Sequence, residues 1–584
     1  MIKLLRRLRS REIWMCVICA VLILGQIYFD LRLPEYMSEL TVLIQTSGEM
    51  SAIWTTGLEM LGCVLISAAL SIACGYLSAR SAAGFAYGVR EDLFHHVVGL
   101  GQEEMLRFSV PSLITRTTND ITQIQMVIAM GLQSLIKAPV MAVWAIIKIL
   151  GKSWELSMIT AGFVVFICAS VLIIMTTVMP RFRIVQKITD RINRITRENL
   201  TGINVVHAFN AEGYQEEKFD QTNTKMLKTQ LFNQRMFALM QPLMGLGMNG
   251  LGLCIYWVGA ALLGGIPAAD MAGRLTMFSD IVVFSTYATY VVMSFMMLVM
   301  IFMMLPAAQV SAERINAVLN TKATIKEGKV TKADEVGTVE FKNVTFRYPE
   351  ASEDELTGIS FKVNQGETLA IIGATGSGKT TLISLIPRFY DATKGEVLVD
   401  GVNVKDYSFD ALYNRLGYVT QKAVLFSGSI KENVTFGESR EPIDDADVDN
   451  AIALAQAEEF VSKLDGKTGY RIAQGGRNVS GGQKQRLSIA RALARGAEIL
   501  IFDDSFSALD YRTDAALRQG LAEKLGGVTK IIVAQRVSTI RHADKILVLD
   551  DGKIVGDGTH DELMRNCPVY REIAKSQLSE AELA

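Results

Sequence analysis

Long apolar runs punctuate the first half of the chain and are missing from the second. They cover about residues 13–29, 55–79, 130–150, 156–179, 237–263 and 281–305. Each is near or above the ~20 residues that a membrane-spanning helix needs. The pattern predicts six spanning helices. Lys3, Arg6, Arg7, Arg9 and Arg11 precede the first run. Basic flanks favour the cytoplasmic face, so the N-terminus is expected inside. The first run has no small-residue cleavage site and reads as an anchor rather than a removable signal.

The polar segments between the runs differ in kind. Residues 31–54, 151–155 and 264–280 are short or moderate and carry few basic residues. Residues 80–127 and 180–235 are long, charged and mostly free of Pro and Gly. They read as helical extensions into the cytoplasm that turn back. Turns are expected at Phe108–Asp120 and Gly202–Phe209, either as coupling elements or as solvated turns. The sixth run carries Met293, Met296, Met297, Met300, Met303 and Met304, an adaptable apolar surface or ordinary packing. Glu59 is an ionisable residue inside the second run, facing a cavity or exposed near its outer end.

From Ala312 onward the chain turns polar. Residues 1–320 are expected to form a membrane domain, 321–338 a linker and 339–584 a nucleotide-binding domain. The alternation of Val339–Tyr348 predicts a strand. The apolar run Leu369–Ile372 leads into Gly373-Ala374-Thr375-Gly376-Ser377-Gly378-Lys379-Thr380, and Thr381–Ile386 continues as a helix. Strand, G-x-x-x-x-G-K-T and helix together make a phosphate-binding loop. Its glycines let backbone N–H groups point at phosphate oxygens. Lys379 can reach the β- and γ-phosphates, and the Thr380 hydroxyl can ligate Mg²⁺.

Other candidate groups follow in order. Tyr348 ends the first strand and can stack on an adenine. Gln421 follows a strand-like run and can serve Mg²⁺ or the attacking water. In Val479-Ser480-Gly481-Gly482-Gln483, Ser480 can cap the next helix, and the glycine turn suits a phosphate. One ATP cannot easily use both glycine turns, but two domains packed head to tail can. Glu498–Asp503 is an apolar strand ending in the carboxylate expected to orient Mg²⁺. Asp504 follows, then Ser507–Asp510; Gln535 ends another strand, Ile531–Ala534.

Composition adds three bounds. Half the residues are hydrophobic and mean hydropathy is +0.26, high for a soluble protein. Net charge is −1, which argues against a nucleic-acid partner. Six of the seven cysteines lie inside apolar runs, so no disulfide framework is expected.

This ordered set resembles the ATP-binding cassette (ABC) family, in particular its multidrug-type exporters with six membrane helices and one cassette per chain. The likeness covers nearly the whole chain. It implies a six-helix α-helical transmembrane domain followed by an α/β P-loop domain with a smaller helical subdomain. It implies ATP and Mg²⁺ as cofactors, and a multi-pass location in the cell membrane with the cassette cytoplasmic. In that family two cassettes sandwich two ATP molecules, each held between one phosphate loop and the other chain's signature. Cofactor contacts are then expected from Tyr348, Gly373, Thr375, Gly376, Ser377, Gly378, Lys379, Thr380 and Thr381. Ser480, Gly481, Gly482 and Gln483 would serve the partner's nucleotide. Thr380, Gln421 and Asp503 would serve the metal.

Two positions depart from the family pattern. Asp504 stands where efficient hydrolysers carry a glutamate, and Gln535 stands where they carry a histidine. Gln474 also replaces a residue that is often glutamate. The likeness is therefore to the degenerate-site subunit of heterodimeric bacterial exporters. The expectation is export of amphipathic small molecules beside a second, different half-transporter. The alternatives are a lipid or peptide flippase, a homodimer with two slow sites, and an ATP-gated channel or regulatory subunit.

Overall fold

The computed structural model describes residues 2–578 apart from 47, 151, 268 and 350. The side chain of Met303 lies outside the described residues. The chain divides into two compact units: Met1–Val98 with Val110–Thr321, and Gly99–Ser109 with Lys322–Ala584.

The first unit is helical. Its long helices are α1 (Ser10–Gln45), α2 (Met50–Val98), α4 (Val110–Leu150), α5 (Trp154–Thr201), α7 (Glu212–Gly264) and α8 (Met271–Leu319). All six are long and apolar enough to cross a membrane. Helices satisfy their own backbone groups, which hydrocarbon demands. At 49 residues α2 measures about 74 Å by helical rise, more than twice a ~30 Å hydrocarbon core. Its charged end must therefore project beyond a bilayer. Close packing uses small residues. A Cβ on Gly247 of α7 would lie 2.8 Å from Ile167 of α5. One on Gly259 would lie 2.7 Å from Ile281 of α8. Tyr287 of α8 is fully buried and donates its hydroxyl to the Leu31 carbonyl at 2.9 Å.

The first turn sits earlier than the sequence suggested. Helix α2 ends at Val98, and the short helix α3 spans Gln102–Arg107. Most of Phe108–Asp120 is helical, with a π-turn at Arg116–Asp120 inside α4. Pro111 falls in the first turn of α4, where a missing N–H is harmless. Gly99 and Gly101 were the better turn signals. The second turn lies where expected: α5 stops at Thr201, and α6 (Ile203–Ala208) lies between Gly202 and Phe209. Glu59 is exposed.

The second unit is built on sheets. Strands β2 (Leu356–Val363), β1 (Val339–Phe346), β4 (Lys394–Val399) and β5 (Val402–Asn403) form an antiparallel sheet in that order. The central sheet runs β12 (Lys553–Gly558), β11 (Lys545–Asp550), β3 (Thr368–Gly373), β10 (Thr529–Val533), β9 (Ile499–Asp503), β6 (Leu416–Val419). Only β12 is antiparallel to its neighbour. Strands β9 and β10 are buried throughout, the mark of a parallel sheet covered on both faces. A smaller helical part holds α10 (Asp445–Leu454) and α11 (Gly481–Ala494), with β7 (Gly428–Ser429) paired to β8 (Arg471–Ile472). Residues 322–338 belong to this unit: Gly328, Lys329 and Val330 donate backbone N–H groups to Tyr407 and Asp406.

Candidate nucleotide-binding site

Parallel pairing sets the site. Val533 lies opposite both Ile371 and Asp503, and Val419 lies opposite Phe502. Strands β3, β9, β10 and β6 therefore end at one edge. The segments leaving that edge carry the phosphate loop, Asp503–Asp504, Gln535 and Gln421. Open parallel sheets bind ligands outside these carboxyl ends.

The loop needs its glycines. Gly376 and Gly378 have φ of +85° and +92°, where a Cβ is strained. A Cβ on Gly373 would lie 2.0 Å from the Leu549 carbonyl oxygen. Lys379 begins α9 (Lys379–Ser384) and donates Nζ to the carbonyls of Gly373 (2.9 Å) and Ala374 (2.6 Å) and to Ser377 Oγ (3.3 Å). Burial pulls its ammonium down, while Asp504 and Asp503 push it back up. Ser377 and Thr381 are buried. Thr375 lies in the loop between Gly373 and Gly376. Tyr348 reaches the same helix: its hydroxyl is 2.9 Å from Thr381 Oγ1. Its ring meets Phe346 and Tyr390 edge-on, at 4.9 Å and 5.3 Å between centroids.

Thr380 Oγ1 donates to Asp503 Oδ1 at 3.0 Å. Burial pushes the Asp503 carboxyl up, and the Thr380 bond takes back only part of the rise. A hydroxyl and a carboxylate side by side fit Mg²⁺, which takes oxygen ligands and keeps several waters. Thr380 and Asp503, with Gln421 nearby, would hold the ion, which would neutralise charge on the phosphates.

Asp504 has a left-handed backbone, φ +47°, and is 8% exposed. Gln535 Nε2 donates to Asp504 Oδ2 at 2.7 Å, and Gln421 Nε2 approaches the same oxygen at 3.5 Å. Ser507 Oγ donates to the Asp504 carbonyl at 2.8 Å. Burial pushes the Asp504 carboxyl up; bonds from Gln421, Ser507 and Gln535 pull it back. The three residues singled out at the catalytic end are thus one cluster. Gln577 of α13 (Pro568–Gln577) was missed. It donates to the Gln535 carbonyl at 2.8 Å and accepts Val537 N–H at 2.8 Å. No local signal marks it, since it lies 42 positions from Gln535.

The second glycine turn stands apart. Ser480 caps α11, and its N–H bonds Gln483 Oε1 at 2.9 Å while Gln483 N–H bonds Ser480 Oγ at 3.4 Å. Ser480 and Gly481 are exposed. No hydrogen bond among the described residues joins Ser480–Gln483 to Gly373–Thr380. Asp510 caps α12 (Tyr511–Lys524), and bonds from Thr513 hold its carboxyl below the usual range.

The family model of the ABC transporter transmembrane region matches residues 17–295, and that of the ABC transporter matches 356–507. An uncharacterized ABC transporter ATP-binding protein of Mycobacterium tuberculosis is 38% identical over 94% of this chain and 93% of its own. The chain is an ABC transporter. A further ABC transporter ATP-binding protein, from Bacillus subtilis, is 33% identical over 96% of both chains. An ATP-dependent lipid A-core flippase of Burkholderia orbicola is 30% identical over 91% of this chain and 88% of its own. A solved bacterial Atm1-family ABC exporter with ATP bound superposes with a TM-score of 0.80, covering 98% of this chain and 100% of that one. At 24% identity that likeness speaks for the fold alone. The architecture is therefore that of an ABC exporter: six membrane helices fused to a nucleotide-binding domain.

Proposed function

We propose that this ABC transporter chain is one half of an ATP-driven exporter of amphipathic small molecules in the cell membrane, working beside a different half-transporter. The N-terminus and the cassette face the cytoplasm. The pocket of Gly373–Thr380, Asp503, Asp504 and Gln535 binds ATP with Mg²⁺ and turns it over slowly. Ser480–Gln483 serves the partner's pocket, where most hydrolysis occurs. ATP closes the cassettes through its higher affinity for the closed pair.

The observation that carries this reading is the grip on Asp504. A general base must sit ~2.6–3.2 Å from its water. The Asp504 side chain is one methylene shorter than glutamate, and its Oδ2 already accepts Gln535 Nε2 at 2.7 Å. The test is ATPase activity of the purified chain alone and of the chain co-purified with its partner. The lone chain should be slow and the pair fast; brisk hydrolysis by the lone chain overturns the reading. Relatives named as lipid A-core flippases support a second reading, lipid export. ATP-dependent movement of fluorescent lipid between leaflets of proteoliposomes tests it.

A further inference from the structure

Asp30 of α1 and Lys137 of α4 form an ion pair at 3.1 Å, their side chains 18% and 21% exposed. Ser67 of α2, itself buried, also bonds the Asp30 carboxylate. Tyr287 of α8 donates its hydroxyl to the carbonyl of Leu31, the residue after Asp30, at 2.9 Å. Four of the six long helices thus converge on one acid–base pair. Ser67 and Lys137 lie inside the apolar runs of their helices. An ionisable pair at such a level is costly, and it marks a functional site by default.

The methionines of α8 supply the second half of the argument. Tyr290, Met293, Met297, Met300 and Met304 are spaced three, four, three and four apart, so they share one helix face. Met293 is 48% and Met300 54% exposed. From Tyr290 to Met304 the stripe runs about 21 Å by helical rise, the length of a long acyl chain. The stripe begins three residues after Tyr287, which holds α8 against α1 beside Asp30, so the polar anchor and the flexible apolar track start at the same level.

We propose that Asp30 and Lys137 form the headgroup site for a zwitterionic amphiphile whose tail lies along the methionine stripe. The inference rests on reading the chain as an exporter of amphiphiles, and it names their charge class. A lone anion would satisfy Lys137 and strand Asp30; a lone cation would do the reverse. Stranding one charge of a desolvated pair costs more than the pair is worth. A headgroup with both signs replaces both partners at once.

The test uses the full chain in neutral detergent micelles, co-purified with its partner where needed. Three fluorescent probes share one tail: a lysophosphoethanolamine, a lysophosphoglycerol and an alkylammonium. Anisotropy titrations should favour the zwitterionic probe by about tenfold. Asp30→Asn should move the preference to the anionic probe, and Lys137→Gln to the cationic one. Met293→Ala with Met300→Ala should weaken all three alike. ATP binding by each variant confirms folding, and the neutral double variant D30N/K137Q should lose charge preference. An unchanged probe order in ATP-binding D30N and K137Q proteins overturns the proposal. Loss of ATP-driven transport with charge-selective binding intact would instead sink the export reading alone.

Discussion

In the proposed slow pocket, Asp504 stands in the place of the general base. Asp504→Glu extends the carboxylate by one bond. General-base assistance contributes ~10²–10⁴-fold. Gln535 already donates to Asp504 Oδ2, so part of any gain is withheld until that bond yields. The expected result is a rise of roughly tenfold or more in ATPase of the purified chain, measured as phosphate release with Lys379→Ala as the background. No rise would mean that the fold of the loop, not the side chain, limits hydrolysis. The individual residues here were legible because each belongs to a spaced motif. The contact between Asp504 and Gln535 was not, because it joins two strand ends 31 positions apart. The pairing of Asp30 with Lys137 escaped for the same reason. Glu59, the ionisable residue that stands out inside an apolar run, is exposed.

At the scale of elements, the length of the apolar runs was enough for six spanning helices, while the apolar strand runs showed single strands but not their parallel pairing. Helix ends were less readable. Pro111 looked like a turn, yet proline suits the first turn of a helix as well as a bend. Glycine marks the turns at Gly99, Gly101 and Gly202, and it also sets the helix contacts. Gly247→Ala and Gly259→Ala should each destabilise the membrane unit by about 1–3 kcal/mol, because the new methyl meets Ile167 or Ile281. Gly162→Ala is the control, since nothing lies within 4 Å of its Cβ position. Thermal unfolding in detergent reads both. Equal midpoints for all three variants would show that the packing against Ile167 and Ile281 is slack.

At the scale of the molecule, the exposed Ser480 and Gly481 make no described side-chain contact within their own cassette beyond the cap of α11. In a pair of unlike chains, Gly481→Asp here should remove most of the complex's ATPase, roughly tenfold or more if the partner's pocket does the hydrolysis. Lys379→Ala in the same chain should cost far less. The reverse order would assign the fast pocket to this chain. The π-turn in α4 has a wider reach than its five residues suggest. It is held by Arg116 donating to the Arg314 carbonyl, and by Asp120 paired with Arg314. A π-turn carries one residue more than α-helical spacing would, and each residue rotates a helix by about 100°. That one surplus residue fixes the azimuth of everything downstream on α4. Remove it, and the Lys137 ammonium swings more than a quarter of a circle away from its carboxylate. An irregularity near one end of the helix is thus the phase-setting screw for a charge nearly five turns further along.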